Sequence, residues 1–62
     1  MSAPPLPATP DEIPADASLA LLEHYRRTAR AAVDAATDEG DLKLVAQLIN
    51  MAGAVEDRIQ RR

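Results

Sequence analysis

An all-α helical hairpin is the fold class that this chain predicts, and three observations carry the prediction. Apolar residues recur every three or four positions from Leu19 to Ile59. A Gly40-Asp41 pair interrupts that pattern once, near its middle. All five prolines lie before the pattern begins. No stretch alternates with period two, and no β-branched cluster marks a strand.

The elements follow in order. Residues 1–15 hold Pro4, Pro5, Pro7, Pro10 and Pro14 and read as a flexible tail, polyproline-like over Met1–Ala8. Within it, Thr9-Pro10-Asp11-Glu12 has the form of a capping box with proline at the first helical position. Pro14 limits that start to one turn, with Ile13 placed to dock on the hairpin. The domain proper is expected over 16–62. Asp16 is the expected N-cap of a first helix over about 17–38. Its apolar face carries Leu19, Leu21, Leu22, Tyr25, Ala29, Ala32, Val33 and Ala36. Glu23–Arg27 and Arg30–Asp34 are spaced as ion pairs on the opposite face. The turn over 38–41 uses Gly40 as a left-handed terminator and Asp41 as the next cap. A second helix over about 42–60 completes an antiparallel pair, because so short a loop leaves no room for another arrangement.

The second helix carries Leu44, Val45, Leu48, Ile49, Met51, Ala52, Val55 and Ile59 in an arc of about 180°. One helical neighbour cannot cover so wide an arc, which predicts a partner outside the chain. Size points the same way. A chain of 62 residues buries too little apolar surface to be comfortably stable alone. It has no cysteine, so disulfides and thiolate metal sites are excluded, and the single His24 cannot assemble a zinc site. The expected arrangement is therefore two hairpins pairing into a four-helix bundle homodimer, or one hairpin binding another helical protein. The residues expected at the interface are Leu19, Leu22, Tyr25, Leu44, Leu48, Met51, Val55 and Ile59. Tyr25, the lone aromatic, is the expected anchor.

No catalytic constellation, phosphate loop or cofactor motif can be assembled, so the expectation is a non-enzymatic interaction module. Net charge is −3 with a pI near 4.8, the wrong sign for a general nucleic-acid binder. Arg26, Arg27, Arg30, Arg58, Arg61 and Arg62 nevertheless fall on neighbouring turns of an antiparallel pair. They form the basis of a second reading, an arginine stripe against a phosphate backbone. Glu56 and Arg26 sit at the edges of the two apolar arcs, placed to pair. No apolar run is long enough for a membrane span and no secretory leader is expected, so the cytoplasm is the default. Frequent alanine, with arginine over lysine and aspartate over asparagine, suggests a bacterial or phage gene of high GC content.

The arrangement Leu22…Ala29…Val33, a polar turn, then Asp41-Leu42…Val45-Ala46…Leu48-Ile49…Val55…Ile59 resembles the helical hairpins of small phage-encoded proteins. Small-terminase subunits are among them. The resemblance spans Leu22 to Ile59 and implies a phage DNA-packaging or regulatory subunit under the second reading. It is a hydrophobic pattern without a chemical motif, and no functional residue is carried over from it.

Overall fold

The computed structural model describes residues 5–61 and consists of one 3-10 turn, Pro10–Glu12, and two helices. Helix α1 runs Leu19–Glu39 and helix α2 runs Leu42–Gln60. With 21 and 19 residues the helices match in length at about 30 Å. They pack along one another as the expected hairpin. Among the described residues no strand forms and no helix is long and apolar enough to cross a membrane.

The reversal between the helices is set by backbone chemistry. Gly40 sits at φ 76°, a left-handed conformation that costs a side-chain-bearing residue energy. Its N–H donates to the Thr37 carbonyl and the Asp41 N–H donates to the Ala36 carbonyl, each at 3.0 Å. Those two bonds are the Schellman pattern, which satisfies the last carbonyls of α1. The Asp41 carboxylate then accepts from the Leu44 N–H at 3.2 Å and caps α2. Helix end and helix start thus share two residues.

The start of α1 differs from expectation. Ser18, not Asp16, is the N-cap, and its hydroxyl accepts from the Leu21 N–H at 3.1 Å. The reason lies one residue earlier. Ala17 is buried at 5 % exposure and its N–H donates to the Pro14 carbonyl at 3.1 Å. The chain completes that turn, seats Ala17 in the core and enters the helix only afterwards.

The segment before α1 is also more engaged than a tail. Met1–Pro4, the outer part of that expected tail, lie outside the described residues. Further in, Ile13 is 3 % exposed and joins the core, and Leu6 packs against it. The Glu12 carboxylate accepts from the N–H groups of Ala8 and Thr9 at 3.0 and 3.1 Å, folding the strand of chain around Pro10. The Arg58 guanidinium donates to the Pro14 carbonyl at 3.5 Å. Ile13 thus docks on the hairpin, as its position in the sequence suggests, across the boundary expected between residues 15 and 16. Residues 5–18 act as a strap across the end of the hairpin that lies away from the turn.

The core reflects this third layer. Its cluster comprises Ile13 and Ala17 from the strap, Leu22 and Tyr25 from α1, and Met51 and Val55 from α2. Leu21, Ala54 and Ile59 flank it. Towards the turn the buried residues are Ala29 and Ala36. Alanines let the helices approach closely but leave the large side chains of α2 without a recess.

Candidate functional site

Helix α2 carries two apolar seams about 100° apart. The first, Leu44, Leu48, Met51 and Val55, faces α1. Met51 and Val55 are 2 % and 0 % exposed, Leu48 is half-buried and Leu44 is 38 % exposed. The second seam is Leu42, Val45, Ile49, Ala52, Glu56 and Ile59, spaced alternately by three and four residues. It points away from the core at the turn end. Leu42 is 76 % exposed and Ile49 is 57 % exposed, while Val45 and Ala52 are half-buried. From Leu44 to Val55 there is no charged residue at all. A water-facing helix surface ordinarily carries charge, so this stretch has the composition of a covered face.

Beside the second seam lies an open cleft of about 410 Å³. Ile49, Ala52, Gly53 and Glu56 form its α2 wall, and Arg30, Val33 and Asp34 form its α1 wall. Half-buried Val33 and Ala52 stand there among the exposed charged residues Arg30, Asp34 and Glu56. Gly53 borders open space, with nothing within 4 Å of where a Cβ would stand.

The residues expected at an interface divide on this geometry. Leu22, Tyr25, Met51 and Val55 lie inside the single chain, at 4 % exposure or less, and offer no surface to a partner. In the single chain they are covered by the strap and the two helices. Leu48 and Ile59 are half-buried, whereas Leu19 at 45 % and Leu44 at 38 % remain open. The residues that sequence reasoning left out are Leu42 and Ile49, which are more exposed than any on that list. Their signal was present as the second heptad-like register within the wide arc. The arc alone does not reveal which of its halves meets α1.

Four of the arginines line three different clefts. Arg30 stands at the rim of the main cleft, and Arg26 lines another small cleft with Glu56, Ile59 and Gln60. Arg58 and Arg61 line a third, beside Pro14 and Ala17 of the strap. Arg58 is engaged with the Pro14 carbonyl, and Arg61 pairs with Asp57 at 3.1 Å. Arg27 is exposed, and Arg62 lies outside the described residues. The Glu23–Arg27 and Arg30–Asp34 spacings do not close to ion-pair distance, nor do Arg26 and Glu56 across their shared cleft. Holding two long exposed side chains together costs entropy that a solvated pair barely offsets.

His24 and Tyr25 are neighbours whose ring centroids lie 6.1 Å apart, tilted by 47°. Tyr25 is 4 % exposed and packs in the core of the single chain. Among the described residues no group of three or more His, Asp or Glu side chains is placed to hold a metal ion. Compared with family models, curated proteins and solved structures, the chain matches none.

Proposed function

We propose that this protein works by association, helix against helix, as a non-enzymatic interaction module whose first partner is a second copy of itself. The exposure of Leu42 and Ile49 on a largely apolar seam of α2 is the observation that supports the reading. Burying those side chains releases water from apolar surface, at roughly 25 cal/mol per Å². Leu42 and Ile49 alone expose on the order of 250 Å² of that seam. Two hairpins joined across such faces form a four-helix bundle.

Sedimentation equilibrium from low to high micromolar concentration tests the proposal. The native chain is expected to shift from monomer to dimer over that range. Ile49→Asp is expected to stay monomeric with unchanged helical circular dichroism. A folded native monomer throughout would overturn the reading.

A further inference from the structure

We propose that the second copy docks α2 against α2 in antiparallel orientation, with Ile49 of each copy seated over Ala52 and Gly53 of the other. The inference deepens the association reading and rests on it. The second seam of α2 is complementary to itself in one direction. Run antiparallel about a two-fold axis between Ile49 and Ala52, the seam pairs Leu42 with Ile59, Val45 with Glu56, and Ile49 with Ala52. Each large side chain then faces a smaller or more retracted one. Run parallel, it sets Glu56 against Glu56 at a seam position, where like charges repel. It also stacks Ala52 on Ala52 and leaves a void between the helices.

Gly53 supports the same crossing. A glycine inside a helix is unfavourable, and the space around it is open, so nothing among the described residues requires it. It flanks the seam next to Ala52, where the missing side chain lets a second helix approach. The remaining flank positions, Ala46 and Gln60, carry no charge, so the approaching copies meet no repulsion there. The paired seams run about 26 Å from Leu42 to Ile59. They bury on the order of 500 Å² per copy, at the low end for specific interfaces, which predicts a weak and reversible dimer.

The chain contains no cysteine, so single cysteines report on this geometry without interference. Ala52→Cys and Leu42→Cys proteins are treated with a short bis-maleimide near the dimer midpoint. In the antiparallel dimer the two Ala52→Cys thiols lie near the axis and cross-link. The two Leu42→Cys positions stand about 26 Å apart along the helix direction and do not. Gly53→Leu, which fills the approach, is expected to raise the dimer dissociation constant by about tenfold or more. Gly53→Ala, the milder variant, is expected to raise it less while keeping full helicity. Cross-linking through Leu42→Cys would overturn the antiparallel orientation. A dimer in sedimentation that neither cysteine cross-links, or that Gly53→Leu leaves unweakened, would overturn the docking and leave association standing. Absence of any dimer would instead remove the association reading itself.

Discussion

At the end of the hairpin away from the turn, three segments meet around Leu22, Tyr25, Met51 and Val55. At the turn end, two helices meet across Ala29 and Ala36. The residue types of α2 are similar in the two regions, yet Val55 is fully buried while Leu42 and Ile49 stand in water. The difference lies in what faces them. The strap brings Ile13 and Ala17 over the first region, and none of the described residues covers Leu42 and Ile49 in the same way. An apolar side chain stabilises a fold only when something removes it from water. The first region therefore carries the stability of the single chain, and the second is the surface that our proposal assigns to association.

Substitutions that separate the two regions test this contrast. The largest loss is expected for Leu22→Ala, at 2 % exposure, which leaves a cavity at the meeting of strap and helices. Its cost, about 2–5 kcal/mol, should leave much of so small a protein unfolded in a urea titration followed by circular dichroism. Ile13→Ala is next, at about 2 kcal/mol by the same titration, since it loosens the strap from the core. If that variant were as stable as the native chain, the strap would be no part of the core. Ser18→Ala should cost about 1 kcal/mol through loss of the α1 cap, while Asp16→Ala should change stability by far less. Ile49→Asp should alter the stability of the dilute chain by less than about 0.5 kcal/mol. Its effect belongs in sedimentation, where the dimer is lost.

Much of the hairpin was legible in the sequence because its punctuation is local. Gly40 and Asp41 determine where α1 stops and α2 starts, and both act on their own backbone neighbours. The 3.6-residue period identifies the apolar faces by counting alone. The strap was not legible in the same way. Ile13 is a single large apolar residue among prolines, with no period to give it a face. The turn at Pro10–Glu12 is signalled by its capping box, but the surface that Ile13 then meets depends on where the two helices lie. The shift of the α1 cap from Asp16 to Ser18 has the same origin, since Ala17 is held in the core before the helix begins. The candidate surface was half legible. The breadth of the α2 arc is visible in the sequence, but the choice between its two seams is made by where α1 and the strap lie.

Concentration-dependent nuclear magnetic resonance tests the contrast between the two regions most directly. Diluting the labelled chain through the dimer transition should shift the signals of Leu42, Val45, Ile49, Ala52 and Gly53 and leave those of Leu22, Tyr25 and Val55 in place. Shifts concentrated on Leu22, Tyr25 and Val55 instead would contradict the account, because the second copy would then be completing the core that the strap is held to complete.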